Sequence, residues 1–356
     1  PPLLRRADGR ERGLHPGGGA VRAGAYLLGC AGPDLTADEA AFFAEAQPLG
    51  FILFARNVES PDQMRRLTGD LRDAVGRDAP ILIDQEGGRV QRLTPPHWRR
   101  YLPPLDQVQA AGPEHAARSM HLRARLIAEE LRAVGLDVNC TPCADVARPE
   151  THPFLRNRCY GHDAGTVAQI ARAVAEGSAE GGVLSVLKHI PGHGRAQVDS
   201  HLDLPRVTAP RAELAEDFAP FRALADLPYA MTAHIVYDAI DPDRPATLSP
   251  EMIALIREEI GYGGLLMTDD ISMQALKGSL SDLSTASLAA GCDAVLHCNG
   301  DLAEMQQVAA ACGALSDPAQ ARAEAALAQR RAPEPVDIAA LEAELEALVK
   351  GAVAHV

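Results

Sequence analysis

One polar stretch, residues 187–205, holds a high density of side chains that could do chemistry. It reads LKHIPGHGRAQVDSHLDLP and contains one lysine, three histidines and two aspartates among its glycines and prolines. An apolar run leads into it, which predicts a short buried strand that delivers the stretch to a protein surface. Because imidazole titrates near neutral pH, such a loop is suited to proton transfer. A merely solvated loop is the alternative, and this density of His, Lys and Asp fits it poorly.

Asp199 and His201 stand two residues apart within this stretch. On an extended loop their side chains can share one side and form a hydrogen bond. The carboxylate would then fix the imidazole tautomer and raise its basicity, as an aspartate does for the histidine of a catalytic triad. Such a pair would act as a general acid and base. The spacing alone leaves a solvated surface pair open.

The whole chain alternates short apolar runs with longer amphipathic segments. Strand followed by helix, repeated about eight times, predicts an α/β fold, a (β/α)8 TIM barrel in a single domain. A doubly wound sheet is the structural alternative, although no Gly-rich dinucleotide fingerprint follows an early strand. Two Ala- and Glu-rich segments, 318–331 and 336–350, predict extra C-terminal helices outside the barrel. The predicted strands are Ala25–Cys30, Gly50–Phe54, Pro80–Asp84, Leu136–Cys140, Leu184–Leu187, Tyr229–Thr232, Leu265–Thr268 and Ala294–His297.

Polar residues stand where five of these strands end. The loops at the carboxyl ends of the strands build the active site of a TIM barrel, so we expect these groups to converge. They are Arg56-Asn57, the segment from Asp84 to Arg92, Lys188-His189, the segment from Thr232 to His234, and Asp269-Asp270.

Two of these groups allow a more specific interpretation. Adjacent strand residues point to opposite faces, so Asp269 is expected in the barrel mouth and Asp270 is left to cap the following turn. Asp84 and Arg92 straddle a Gly-Gly turn where backbone can pass close to a ligand. A carboxylate there suits sugar hydroxyls and a guanidinium suits an acidic group. An ordinary ion pair between Glu86 and Arg89 is the structural alternative for this loop.

Composition limits the possible partners. The chain has 356 residues and a formal net charge of −14, which argues against nucleic acid or an anionic membrane as the main partner. No stretch is apolar over the length that a membrane helix needs. The seven cysteines are predicted to be reduced thiols, and Cys140-Thr-Pro-Cys143 is interpreted as core rather than as a redox motif.

The first 24 residues are basic and rich in Gly and Pro, without the apolar region of a secretory signal. They are predicted to be a disordered leader before a barrel domain over 25–356. The simplest interpretation is a cytoplasmic enzyme. We expect no cofactor, no metal and a monomer.

Several segments follow one another in a recognisable order: GFILFARN, DQEGGRVQRL, KHIPGHG with DSH, MTAHIVY with PATLSP, and IREEIGYGGLLMTDDIS. They closely resemble glycoside hydrolase family 3, and more narrowly its single-domain bacterial β-N-acetylglucosaminidases. The resemblance covers residues 25–299, and 255–272 agrees with the family's active-site signature. Members of this branch are (β/α)8 barrels that act in the cytoplasm during cell-wall recycling. They remove a terminal N-acetylglucosamine from 1,6-anhydro-N-acetylmuramic acid, with or without its peptide.

This resemblance implies a role for each matching residue. Asp269 would be the nucleophile of a two-step retaining hydrolysis, and Asp199 with His201 would be the acid/base dyad. The family more often has Ser than Cys159, and many relatives carry Phe in place of Ile190, but neither departure removes a catalytic group. The sugar-binding residues would be Asp84, Arg92, Arg158, Lys188 and His189.

Three rival functions remain. A zinc-dependent hydrolase could use the loop's histidines and carboxylates, although their dispersed spacing is not a recognised zinc signature. Those residues are His189, His193, His201, Asp199 and Asp203. A family 3 enzyme for another sugar, such as a β-glucosidase, typically carries additional domains. A non-catalytic sugar-binding protein on the same scaffold is disfavoured by the intact candidate catalytic residues.

Overall fold

The computed structural model describes residues 22–197 and 204–349. Eight parallel strands in it form a closed barrel. They are β1 (Gly24–Leu28), β2 (Pro48–Leu53), β3 (Ile81–Ile83), β4 (Val138–Asn139), β5 (Leu184–Ile190), β6 (Tyr229–Thr232), β7 (Leu265–Asp270) and β8 (Ala294–His297). Each strand pairs with its neighbours in the sequence, and β8 closes the barrel against β1. The predicted (β/α)8 fold is confirmed.

Helices cover the outside of this barrel. Those of the described chain are α1 (Ala37–Ala46), α2 (Pro61–Val75), α3 (Pro104–Ala111), α4 (Ala116–Ala133), α5 (Pro153–Arg156), α6 (Ala164–Glu180), α7 (Arg211–Ala223), α8 (Pro250–Glu258), α9 (Leu280–Ala290), α10 (Leu302–Cys312), α11 (Asp317–Leu327) and α12 (Ile338–Leu348). Side-chain hydrogen bonds cap the first turn of several of these helices. Thr36 and Glu39 form a reciprocal capping box at α1, and Asp163 caps α6.

Alternation along the strands separates the barrel interior from the layer beneath the helices. In β7, Leu265 and Met267 belong to the interior cluster, whereas Leu266 packs in the outer one. This is the period of two expected of a strand that is buried on both faces.

Two barrel strands extend beyond their predicted carboxyl ends. β5 continues through Lys188 and His189, and β7 continues through Asp269 and Asp270, so these polar residues lie within strands rather than after them. Pairing extends because the neighbouring strands still offer partners, as Thr232 does for Ile190. β4 is shorter than predicted, since the chain turns away at Thr141-Pro142.

The last two helices lie outside the barrel, as predicted. Arg322 of α11 forms an ion pair of 2.7 Å with the buried Asp293. Arg118 of α4 makes a bidentate contact to Glu344 of α12, at 2.7 and 2.8 Å. These contacts tie both helices to the barrel.

Three other sequence-based points can be compared with the structure. All seven cysteines are free thiols, and Cys140 and Cys143 are buried, as predicted. Within the described ranges, no helix is both long and apolar enough to cross a membrane. Of the predicted leader, residues 1–21 lie outside the described chain, while Arg22 donates to Leu315 O at 3.1 Å.

Candidate active site

A cavity of about 340 Å³ opens at the carboxyl ends of the barrel strands. A volume of this order suits a small ligand. The predicted site residues that line it are Asp84, Arg92, Arg158, Lys188, His189 and Asp269. The structure therefore brings these six together from five separate parts of the chain.

Asp84 lies between two cations. Its Oδ1 accepts a hydrogen bond from Lys188 Nζ at 2.9 Å, and its Oδ2 accepts one from Arg92 at 3.1 Å. Burial alone would raise the pKa of Asp84, but the charges of Lys188 and Arg92 outweigh it and hold the pKa well below its usual range. Asp84 is therefore an ionised carboxylate at the cavity, able to accept hydrogen bonds from hydroxyl groups.

Glu86 lies beneath the cavity and holds two of its cations. Arg158 donates to both carboxylate oxygens, at 2.9 and 2.7 Å, and Lys188 Nζ lies 2.6 Å from Oε1. Burial would raise the pKa of Glu86, but Arg158 and Lys188 lower it to about 2. Glu86 itself does not line the cavity. This residue was missed as part of the site, because its partners are distant in the sequence.

The alternative ion pair between Glu86 and Arg89 is wrong. Glu86 turns inward to Arg158 and Lys188, whereas the Arg89 guanidinium lies over the Phe154 ring, 3.5 Å from its centroid.

Lys188 is almost fully buried, with 1% of its surface exposed. Burial would lower the pKa of its ammonium, but Asp84 and Glu86 outweigh that effect and raise the pKa. The same balance, led by Glu86, raises the pKa of Arg158. Both side chains are therefore permanent cations with fixed positions at the cavity.

The hairpin formed by residues 85–87 and 90–91 fixes this arrangement locally. Gln85 accepts from Arg92 N and Leu93 N, at 2.9 and 3.0 Å, so its side chain sets the start of the segment after the hairpin. Gly87 has φ +103°, and a Cβ there would collide with Arg123, which donates to Glu86 O. The glycine thus lets a buried guanidinium clamp the backbone of Glu86.

His189 is oriented by Asp145, a second residue that the sequence did not reveal. Asp145 Oδ2 lies 2.7 Å from His189 Nδ1, and Oδ1 accepts from His193 N at 2.6 Å. Burial would raise the pKa of Asp145, but the His189 charge outweighs it and the pKa lies well below its usual range. Because an ionised carboxylate only accepts, His189 Nδ1 carries a hydrogen and its Nε2 faces Arg158 at 3.4 Å.

Within the described chain, one group of side chains has the spacing of a metal site: Cys143, Asp145 and His189. Hydrogen bonds already connect these groups, since Cys143 Sγ lies 3.3 Å from Asp145. A hydrogen bond to Cys159 and burial raise the pKa of the Cys143 thiol well above its usual value. These contacts make the three side chains a hydrogen-bonded cluster.

Asp269 and Asp270 both border the cavity. The expectation that only Asp269 reaches the mouth is therefore wrong, and a register irregularity between Met267 and Asp270 accompanies the difference. Asp270 also has the expected structural role, because its Oδ1 accepts from Ser272 N at 3.1 Å and Ser272 Oγ at 2.8 Å. Asp269 Oδ1 accepts from Asp270 N at 2.8 Å.

The predicted dyad, Asp199 and His201, lies outside the described residues, as does Asp203. The described chain reaches residue 197 and resumes at 204. His193 is described and buried, and its ring lies 5.5 Å from that of His189. Burial lowers the pKa of His193 to about 4.

Comparison with known families matches residues 27–330 to the glycosyl hydrolase family 3 N-terminal domain. A β-hexosaminidase of Alkalilimnicola ehrlichii is 38% identical over 283 residues, which cover 78% of this chain and 81% of that protein. A β-hexosaminidase of Xylella fastidiosa is 38% identical over 285 residues, which cover 78% of this chain and 84% of that protein.

Solved structures agree with these relatives. Native NagZ from Neisseria gonorrhoeae is similar with a TM-score of 0.80 and 29% identity, covering 93% of this chain and 98% of that one. The same protein in complex with N-trifluoroacetyl-D-glucosamine gives a TM-score of 0.81, again at 29% identity, over 93% of this chain and 99% of that one. The predicted enzyme class, a glycoside hydrolase of the β-N-acetylhexosaminidase type, is confirmed. Because the family match spans most of the chain, this protein belongs to glycosyl hydrolase family 3.

Proposed function

We propose that this enzyme removes a terminal N-acetylglucosamine from muropeptides, GlcNAc-1,6-anhydro-MurNAc with or without its peptide, in peptidoglycan recycling in the cytoplasm. The observation that carries the proposal is the cavity in which Asp269 meets the Asp84, Arg158 and Lys188 side chains. The gonococcal NagZ complex with N-trifluoroacetyl-D-glucosamine supports an N-acylated amino sugar as the group bound there.

Asp269 is the proposed nucleophile. In the first step a bond forms between its carboxylate and the anomeric carbon while the glycosidic C–O bond breaks. Water then resolves the glycosyl-enzyme, and the sugar leaves with its original anomeric configuration. The Asp270 N–H that donates to Asp269 supports this role, because it fixes the orientation of the carboxylate.

The opposite side of the cavity is proposed to bind the sugar. Asp84 accepts from sugar hydroxyls, while Lys188, Arg158 and Arg92 donate to sugar oxygens. Fixed charges in a partly enclosed site interact more strongly with a ligand than they would in water. Because Asp84 and Glu86 already hold these cations in place, little ordering is left for the moment of binding.

Asp199 and His201 are proposed as the acid/base pair, on the strength of the family resemblance. His201 would donate a proton to the departing oxygen and then act as base on the water that resolves the glycosyl-enzyme. The unperturbed pKa of histidine, about 6.5, suits both roles near neutral pH.

The proposal is tested by hydrolysis of the nitrophenyl β-N-acetylglucosaminide and the nitrophenyl β-glucoside, side by side, with a chelator present. We expect fast release of nitrophenol from the first substrate only. Asp269→Ala is expected to lower the rate by more than about 10⁴-fold, the scale of losing a covalent catalyst.

Purified GlcNAc-1,6-anhydro-MurNAc, with and without its peptide, completes the assay. Release of N-acetylglucosamine from these disaccharides is expected from the wild type. An enzyme that hydrolyses the nitrophenyl compound but neither disaccharide would refute the muropeptide assignment. Loss of activity with the chelator would restore the zinc-dependent alternative.

A further inference from the structure

A short polar chain lies behind the candidate nucleophile and does not line the cavity. His234 follows β6, and its ring is completely buried, as are the side chains of Thr232 and Thr247. His234 Nε2 lies 3.0 Å from Asp270 O, and Nδ1 lies 2.7 Å from Thr247 Oγ1. Thr247 Oγ1 lies in turn 2.8 Å from Thr232 Oγ1.

The direction of these hydrogen bonds follows from what each group can donate. A carbonyl oxygen only accepts, so His234 Nε2 carries the hydrogen and donates to Asp270 O. Burial lowers the pKa of His234 and outweighs the opposite effect of the Asp269 charge, so the ring is neutral. A neutral ring with its hydrogen on Nε2 must accept at Nδ1. The Thr247 hydroxyl has one hydrogen and two possible acceptors, His234 Nδ1 at 2.7 Å and Ala233 O at 3.2 Å. We assign the hydrogen to the shorter contact, so Thr247 donates to His234. Thr232 donates to Thr247.

This chain ends on the residue that orients Asp269. Asp270 N donates to Asp269 Oδ1 at 2.8 Å, and Asp270 Oδ1 also accepts from Cys298 N at 3.3 Å. The carbonyl oxygen of Asp270 accepts two hydrogen bonds, from His234 Nε2 at 3.0 Å and from Met273 N at 3.1 Å. The amide, carboxylate and carbonyl of Asp270 thus all have partners within the described chain.

We infer that His234 is a positioning residue for the nucleophile: its Nε2–H fixes the backbone of Asp270, whose amide in turn aims the Asp269 carboxylate. The inference rests on the proposed role of Asp269. His234 touches neither the cavity nor the cations Lys188 and Arg158, which are held by Asp84 and Glu86. Its loss should therefore slow the formation of the glycosyl-enzyme and leave the binding of the sugar unchanged.

The experiment uses a 5-fluoro-β-N-acetylglucosaminyl fluoride. The nucleophile forms a bond to the anomeric carbon of this reagent as the anomeric C–F bond breaks and fluoride leaves. The saturating rate of adduct formation measures the nucleophilic step, and the Kd of N-acetylglucosamine measures binding alone. His234→Leu removes the donor to Asp270 O, whereas His234→Gln can place an amide N–H near the same position. Thr247→Val keeps the ring and removes its hydrogen-bond donor.

We expect His234→Leu to slow adduct formation about 10- to 100-fold, the scale on which a small misplacement of a reacting group costs rate. The Kd should stay within about threefold of wild type, and His234→Gln should recover most of the rate. Thr247→Val should show a smaller loss of the same kind, and it carries the test if His234→Leu does not fold. His297→Leu is the matched control, because His297 is equally buried at the end of β8 and bonds to Glu304 instead.

A wild-type rate in His234→Leu, or in Thr247→Val if His234→Leu does not fold, would overturn the inference. Equal losses of rate and affinity, or the same rate loss in His297→Leu, would reduce His234 to a packing residue. These results differ from a failure of the proposed function, in which the wild type itself would form no adduct on Asp269.

Discussion

The two sides of the cavity are built by different physical means. The ion-paired side consists of Asp84, Glu86, Arg92, Arg158 and Lys188, in which two carboxylates hold three cations. The nucleophile side consists of Asp269, Asp270, His234 and Thr247, and there the carboxylate of Asp269 is aimed by a backbone amide and a neutral hydrogen-bonded chain.

This difference suits the two tasks that we propose. A binding surface can be preorganised by strong charges, because ion pairs between buried groups fix long side chains that would otherwise be mobile. A nucleophile needs exact aim. The neutral His234 ring donates to the backbone of Asp270, whose amide donates to the Asp269 carboxylate.

Glu86→Gln, a change in the ion-paired side, is the variant with the largest expected effect on stability and sugar affinity. Removing one partner of a buried ion pair costs about 3–5 kcal/mol of stability. Because Arg158 and Lys188 lose their common support, the Kd of N-acetylglucosamine should rise about 10- to 100-fold, as expected for loss of hydrogen bonds to a charged group. Calorimetric titration measures the Kd, and urea unfolding measures the stability.

Glu39→Gln is the matched control for that variant. Glu39 is also a buried glutamate, but it serves the capping box of α1 and does not line the cavity. The Glu39→Gln protein should lose stability and bind N-acetylglucosamine with the affinity of the wild type. If Glu86→Gln bound N-acetylglucosamine as tightly as wild type, the ion-paired side would not be the binding surface.

The pH dependence of the free energy of unfolding should also distinguish the two sides, although this effect is smaller. The pKa of Glu86 is lowered from 4.5 to about 2, so its contribution to the free energy of unfolding is complete above about pH 4.5. As the pH falls toward about 2, the folded protein takes up the proton and that contribution is lost. The difference in stability between wild type and Glu86→Gln should therefore shrink over this interval.

Urea unfolding of both proteins between about pH 6 and about pH 3 measures this change. A difference that stays constant over the interval would show that the charge of Glu86 does not stabilise the fold. The difference in stability between wild type and His234→Leu should instead begin to shrink below about pH 6.5, because the unfolded chain then takes up a proton that the buried neutral ring resists.

Much of the fold and of the candidate site could be predicted from the sequence. The predictions that failed did so for a physical reason. Short apolar runs located all eight strands, and the bounds of β6 and β8 agree with the prediction. Lys188 was predicted among the polar residues at the strand ends, and it lines the cavity. Glu86 and Asp145 were not recognised, because the residues they hold lie 72 and 44 positions away and no local pattern records such a contact.

The two aspartates of β7 show the same limit. Strand alternation predicted one of them in the cavity, yet both border it. A local irregularity in the pairing of β7 with β8 accompanies this difference, and a pattern of residue types does not record it. The side chain of Asp270 was nevertheless predicted to serve a turn, and its bonds to Ser272 confirm that.

The most direct test of the account is therefore to identify the labelled residue. The enzyme is treated with the 5-fluoro glycosyl fluoride, digested, and the modified peptide is sequenced by mass spectrometry. We expect a single N-acetylglucosaminyl-type adduct on Asp269. An adduct on Asp270, or on no carboxylate of the 265–272 peptide, would contradict the assignment of the nucleophile and the role given to the residues behind it.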